Sequence, residues 1–104
     1  MGTSAIIKVE GLGLGDIGVY KHWDGFPDAT MPWLEAFNKK FTEMRGDDPQ
    51  YKIAQLLRSS ARDSEEFDLD ASYSTGWGIV DTNQCAADYT YTLMRNGTVQ
   101  VTEG

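Results

Sequence analysis

The chain has 104 residues, with sixteen acidic and nine basic side chains, a single cysteine and a formal net charge of −7. A chain of this length forms one compact domain and is too short for two independent cores. A single cysteine cannot form an intramolecular disulfide, and no apolar run is long enough for a signal peptide or a membrane span. The sequence therefore predicts a cytoplasmic protein without a membrane partner.

The negative charge is concentrated in one part of the sequence. Residues 30–62 carry six basic and four acidic side chains, whereas residues 63–88 carry seven acidic side chains and no basic one. Nucleic-acid binding needs clustered lysine and arginine that displace counterions from phosphates, so this distribution argues against a nucleic-acid partner. An acidic segment is commonly a solvated face, and it can also dock on a basic partner.

The first part of the chain predicts a β-hairpin. Residues 5–10 and 17–23 are rich in β-formers and are separated by the glycine-rich residues 11–16. A phosphate-binding glycine loop must open into a helix. Here the glycines are followed by a second strand, so they predict a hairpin loop.

Two helices are predicted next. The first begins with Thr30 as its N-cap, has Pro32 in its first turn and ends at Gly46 as a left-handed C-cap. Its apolar stripe consists of Trp33 or Leu34, Phe37, Phe41 and Met44. The second begins with Asp48 as its cap and Pro49 in its first position. Its stripe consists of Tyr51, Ile53, Ala54, Leu56, Leu57 and Ala61.

Three strands are predicted after a long loop or ragged helical turn over residues 63–76. They cover residues 77–80, 87–94 and 99–102. A two-residue loop at Asn96 and Gly97 would pair apolar with polar residues across the last hairpin. A three-residue loop over residues 95–97, with Gly97 in the left-handed position, instead pairs Leu93 with Val99.

The resulting order, β-β-α-α-β-β-β, predicts an α+β domain. Its sheet is mainly antiparallel, and two helices pack on one face. The other face is then open to solvent or to a partner. Homodimerisation through a sheet edge or through this face is an option, because the chain ends in a short strand with few charges.

The segment VYKHWDGFPD, residues 19–28, holds the only histidine. On an extended strand Tyr20, His22 and Asp24 project to one face. A carboxylate beside an imidazole fixes its tautomer and favours its charged form. In this interpretation the three residues form a functional surface.

The same segment is also explained as a structural corner. Asp24 then caps the turn, Gly25 supplies an unusual backbone dihedral, and Trp23 and Phe26 belong to the core. A second candidate feature is the pair Arg58 and Arg62, which lie four residues apart on one face of the second helix. Two guanidinium groups so placed clamp a carboxylate or phosphate, or pair with the acidic residues that follow.

The stretches YKHWDGFP, PWLEAF, LLRSSAR and TGWGIV resemble an uncharacterised family of short bacterial, archaeal and viral or prophage proteins. Its recurring segment is Y-x-H-W-D-G-F/Y-P, and the resemblance covers roughly residues 6–101. No reaction, cofactor or catalytic residue comes with it. The resemblance implies that several residues share one environment: Tyr20, His22, Trp23, Asp24, Arg58 and Trp77.

Three functions remain open. The leading hypothesis is a non-enzymatic binding module, such as a mobile-element or phage accessory protein, that holds a small anionic, nucleotide-like ligand without a cofactor or metal. The second is an inhibitor whose acidic segment docks on a basic host protein. The third is a small hydrolase that uses His22 and Asp24. The candidate ligand-binding residues are Tyr20, His22, Trp23, Asp24, Arg58, Arg62 and Trp77.

Overall fold

Residues 3–60 and 77–104 are described by a computed structural model of the chain. They form five strands and two helices: β1 (Ala5–Val9), β2 (Ile17–Lys21), α1 (Pro27–Arg45), α2 (Pro49–Ser60), β3 (Trp77–Asp81), β4 (Tyr89–Leu93) and β5 (Val99–Glu103). This order confirms the predicted β-β-α-α-β-β-β arrangement. The loop predicted over residues 63–76 lies outside the described residues.

The strands form one sheet in the order β3-β2-β1-β4-β5. The central pair, β1 and β4, is parallel, and the other three pairs are antiparallel. A parallel pair requires a long crossover, which the helices between β2 and β3 help to supply. The sheet is therefore mainly antiparallel, as predicted.

Both helices pack on one face of this sheet. Alternate residues of β1, from Ala5 to Val9, point towards Leu34 of α1 and Leu56 of α2. The register places Val19, Tyr91 and Leu93 on the same side. We call the opposite side the open face; it carries Lys8, Tyr20, Thr90, Thr92, Gln100 and Thr102.

The N-cap of helix α1 is Phe26, four residues before the predicted cap Thr30. Pro27 occupies its first turn, where a missing backbone N–H costs nothing, and the carbonyl of Phe26 accepts from Ala29 and Thr30. Thr30 is consequently not a cap: it is buried, and its Oγ1 donates to the carbonyl of Asp24 at 2.6 Å. Pro32 lies inside the helix rather than in its first turn.

The buried stripe of α1 also differs from the predicted one. It runs through Thr30, Leu34, Asn38 and Phe41, whereas Met44 is 76% exposed. Asn38 lies in the core because its Nδ2 donates to the carbonyls of Met94 and Thr98 at 3.0 and 2.8 Å. Asn38 has hydrogen-bond partners in the β4–β5 turn, so it occupies a buried position that the apolar periodicity did not predict.

On α2 the buried residues are Lys52, Ile53 and Leu56, while Tyr51 and Ala54 of the predicted stripe are exposed. Lys52 is 2% exposed. Its Nζ lies 3.4 Å from the carbonyl of Met94. Ala61, also in that stripe, lies outside the described residues. Burial lowers the pKa of the Lys52 ammonium, and attraction to Asp47 and Glu10 opposes this change.

The predicted three-residue loop between β4 and β5 is confirmed. Leu93 pairs with Val99 and Tyr91 pairs with Val101. Gly97 has φ 95°, and its N–H donates to the carbonyl of Met94 at 3.2 Å. Apolar residues therefore face apolar residues across this hairpin.

Strand β2 ends at Lys21, two residues before the predicted end, and Asp24 and Gly25 turn the chain into α1. Asp24 has φ 54°, a left-handed conformation that aspartate tolerates. Gly25 donates to the carbonyl of Thr3 at 2.7 Å and accepts from the Tyr91 hydroxyl at 2.5 Å. The corner predicted here is present, but the left-handed dihedral belongs to Asp24.

A glycine is required at position 25 because the neighbouring backbone leaves no room for a side chain. A Cβ at this position would lie 2.7 Å from the carbonyl carbon of Ser4, whereas a Cβ at Gly78 would meet no atom within 4 Å. We expect Gly25→Ala to lower the free energy of unfolding by about 1–3 kcal/mol, because backbone must move. The control Gly78→Ala should change it by less than about 0.5 kcal/mol. Urea denaturation measures both, and equal stability of the two variants would contradict this packing.

The buried Lys52 ammonium makes stability depend on pH. The unfolded chain, with the ordinary lysine pKa of 10.5, binds this proton more tightly than the folded chain. Stability therefore rises as pH increases from the lowered pKa towards 10.5. We expect Lys52→Met to be more stable than wild type at pH 7, with an advantage that shrinks at higher pH.

Urea titrations at several pH values measure this difference. The carbonyl of Met94 keeps its bonds from Asn38 and Gly97 in this variant. The exposed Lys39→Met is the control and should leave stability nearly unchanged. A Lys52→Met protein that is less stable than wild type at pH 7 would show that the ammonium is stabilising.

Candidate functional site

Tyr20, His22 and Trp23 form a small aromatic cluster at the end of β2. Tyr20 lies on the open face, paired with Ile6 and Gly78 of the neighbouring strands. Its hydroxyl is 2.9 Å from Nδ1 of His22, and the Trp23 ring meets the His22 ring edge-on at 4.4 Å between centroids. Trp23 is 50% exposed and Phe26 is 39% exposed, so the prediction that these two residues belong to the core is wrong.

Asp24 does not join this cluster through a hydrogen bond. Its left-handed φ removes it from the alternation of β2, and its backbone carbonyl accepts from Thr30. Among the described residues, the side chain that forms a hydrogen bond with His22 is that of Tyr20. No hydrogen bond joins His22 to Asp24. The structure thus brings Tyr20 and His22 together, while Asp24 shapes the corner.

Trp77 lies on the helix side of the sheet, in register with Lys21. Its indole meets Trp33 of α1 edge-on at 5.7 Å, and the Lys21 ammonium lies 4.7 Å from the ring centroid. This cation–π contact accompanies the burial of the Lys21 side chain, which is 9% exposed. Trp77 is therefore separated from Tyr20 by the sheet.

Arg58 lies on α2, in the helical layer. The structure consequently does not bring it together with Tyr20 and His22, which lie beyond the other face of the sheet. Arg62 lies outside the described residues. The residues that the family resemblance places in one environment therefore lie on opposite sides of the sheet. Tyr20 is on the open face, whereas Trp77 and Arg58 are on the helix side.

Arg58 instead borders an open groove between α1 and α2, with a volume of about 510 Å³. We call it the helix groove. Its lining consists of Phe37, Lys40, Phe41, Met44, Arg45, Tyr51, Gln55, Arg58 and Ser59. Most of these were not among the predicted site residues, although their spacing of three and four places them beside the buried stripe of each helix.

The helix groove is electropositive and partly aromatic. The Arg45 guanidinium lies 3.9 Å from the Tyr51 ring centroid, and its Nε is 3.4 Å from Oδ2 of Asp48 outside the lining. Nη1 of Arg58 donates to Oε1 of Gln55 at 3.4 Å. Lys40 is exposed and makes no ion pair within the described part of the chain.

Among the described residues, no carboxylate lines this groove. An anion entering it would meet three cationic side chains, of which Arg45 is already paired with Asp48. Charge-assisted hydrogen bonds are the strongest that such groups make. Over residues 3–60 and 77–104 there is no cluster of three or more side chains suited to a metal ion. The described helices also lack the length and hydropathy that crossing a bilayer requires.

Two acids of the segment 63–88 lie in the described region, and both have local roles. Oδ1 of Asp81 accepts from the backbone of Asn83 at 2.9 Å, which stabilises the turn after β3. Oδ2 of Asp88 accepts from the backbone of Ser4 at 2.9 Å, which ties the chain start to β4. The other five acids of this segment lie outside the described residues.

Comparisons of the chain with protein-family models, with curated proteins and with solved structures gave no match. The resemblance to the family with the Y-x-H-W-D-G-F/Y-P segment therefore stays a prediction.

Proposed function

We propose that this protein is a binding module, not an enzyme, and that its helix groove holds a small planar anion of the nucleotide type. The observation that carries this proposal is the arrangement of Lys40, Arg45 and Arg58 around aromatic side chains, without a carboxylate among the described lining residues. All of the described lining residues belong to the two helices.

Charge supports an anionic ligand. The chain as a whole carries a net charge of −7, so most of its surface repels anions. A cluster of three cations is therefore a local exception. Guanidinium groups bind phosphate in a bidentate manner, and Lys40 has no competing ion pair within the described residues.

Aromatic and apolar surface supports a planar ligand. Tyr51 is 41% exposed and Met44 is 76% exposed, so both offer contact area beside the cations. The Arg45 side chain already lies over the Tyr51 ring, which limits the motion of both groups before binding. The volume of about 510 Å³ falls within the range of small-molecule sites.

The alternatives have less support. A hydrolase needs a base and a group that orients it, yet His22 contacts Tyr20 and makes no hydrogen bond to Asp24. The described lining of the helix groove contains no histidine, cysteine or carboxylate. For the inhibitor hypothesis, both described acids of the segment, Asp81 and Asp88, bind the protein's own backbone.

Isothermal titration calorimetry with adenosine 5′-monophosphate, guanosine 5′-monophosphate and inorganic phosphate tests the proposal. We expect the nucleotides to bind more tightly than phosphate. Arg58→Gln and Lys40→Gln should each weaken nucleotide binding at least about tenfold, equivalent to about 1.4 kcal/mol. The control Lys8→Gln removes the same charge from the open face and should leave affinity nearly unchanged.

Absence of binding to both nucleotides would contradict the proposal. So would an equal loss of affinity in Lys8→Gln and Arg58→Gln, because that result would trace binding to net charge rather than to the groove. Thermal denaturation of each variant, carried out in parallel, verifies that these exposed substitutions leave the fold intact.

A further inference from the structure

Strand β5 has a neighbour on one side among the described strands, namely β4. Its first residue, Val99, is buried, but the next four residues are exposed. Val101 is 37% exposed although it lies on the helix side of the sheet, opposite the buried Tyr91. The outer edge of β5 is thus open along most of its length.

The direction of the backbone groups follows from two hydrogen bonds at the ends of the hairpin. The backbone N–H of Met94 donates to the carbonyl of Thr98 at 2.9 Å, and the backbone N–H of Gly104 donates to the carbonyl of Asp88 at 2.8 Å. Because hydrogen-bonded and non-hydrogen-bonded pairs alternate along an antiparallel ladder, Val99, Val101 and Glu103 direct their N–H and C=O groups away from β4. No partner for these groups occurs in the described part of the chain.

This edge has few of the features that protect natural edge strands. Proline, lysine, inward-pointing charges and bulges commonly prevent further pairing. The β5 sequence VQVTE contains no proline or lysine, and its pairing with β4 is regular from Val99 to Glu103. Its single charge is at the last position.

We propose that two copies of this chain associate through β5, in an antiparallel pair centred on Val101. Each Val101 then exchanges two hydrogen bonds with Val101 of the second copy, and Val99 faces Glu103 on either side of the two-fold axis. The outward groups of all three residues are paired, and the two sheets continue into one of ten strands.

Self-pairing suits this strand for two reasons. In the register centred on Val101, each residue whose backbone N–H and C=O point outward pairs with another such residue. The edge is therefore complementary to itself, as an isologous interface requires. The register also places Glu103 opposite a valine rather than opposite the second Glu103, which avoids a direct contact between like charges. The exposed Val101 side chains are buried against each other.

Electrostatics predicts how this association responds to salt. Each copy carries a net charge of −7, so two copies repel each other over long distances. Salt screens this repulsion, while backbone hydrogen bonds and valine contacts at the interface are little affected. The dimer should therefore become tighter as the salt concentration rises. This inference does not depend on the helix groove.

Multi-angle light scattering of the full chain, over a range of protein and salt concentrations, tests the proposal. We expect a mass that rises with concentration to twice the chain mass, and a lower dissociation constant at higher salt. Val101→Pro removes an N–H that the ladder with β4 does not use, so it should leave circular dichroism unchanged and weaken the dimer at least tenfold.

Val101→Lys is a second variant for the case in which proline disturbs the fold, because it places two like charges at the axis and should also yield monomers. The control Thr102→Lys adds the same charge on the open face and should remain dimeric. A wild-type chain that stays monomeric at every concentration would overturn the proposal. A dimer that persists in a folded Val101→Pro or Val101→Lys protein would overturn it as well.

Discussion

Gly25 lies so close to Thr3 and Ser4, directly before β1, that it sets how β1, β4 and α1 meet. Its N–H binds Thr3, its carbonyl binds the Tyr91 hydroxyl, and its missing side chain leaves room for Ser4. One residue thereby joins the start of β1, the middle of β4 and the start of α1. Because α1 begins at this corner, its buried side reaches the β4–β5 turn, where Nδ2 of Asn38 donates hydrogen bonds to two backbone carbonyls.

The sequence predicted the element order and the register of the last hairpin, because both follow from local periodicity and from the geometry that Gly97 allows. It did not predict the burial of Asn38 or Lys52, since Nδ2 of Asn38 and Nζ of Lys52 bind backbone carbonyls that are distant in sequence. It also could not divide the candidate residues between the two sides of the sheet. That division depends on the register of β3, in which Trp77 pairs with Lys21, and on which face of the sheet the helices cover, and local alternation reveals neither.

The corner and the sheet together separate the surfaces of the molecule. Helix α1 presents its buried stripe to the sheet and its Phe37 and Lys40 side to α2, where the helix groove opens. Its third side, with Glu35 and Lys39, faces the β4–β5 turn. A dimer formed through β5 would leave both helix grooves accessible, so the two proposals are compatible and describe a module with two equivalent sites.

The segment around Gly25 is a structural corner, and we propose that ligand binding belongs to the helix groove instead. The most direct measurement is a ¹⁵N-edited NMR titration of the labelled chain with adenosine 5′-monophosphate. We expect saturable shift changes concentrated at residues 40–58, with the amides of residues 20–24 nearly unchanged. Changes concentrated at Tyr20, His22 and Trp23, or no saturable change at the helices, would contradict it.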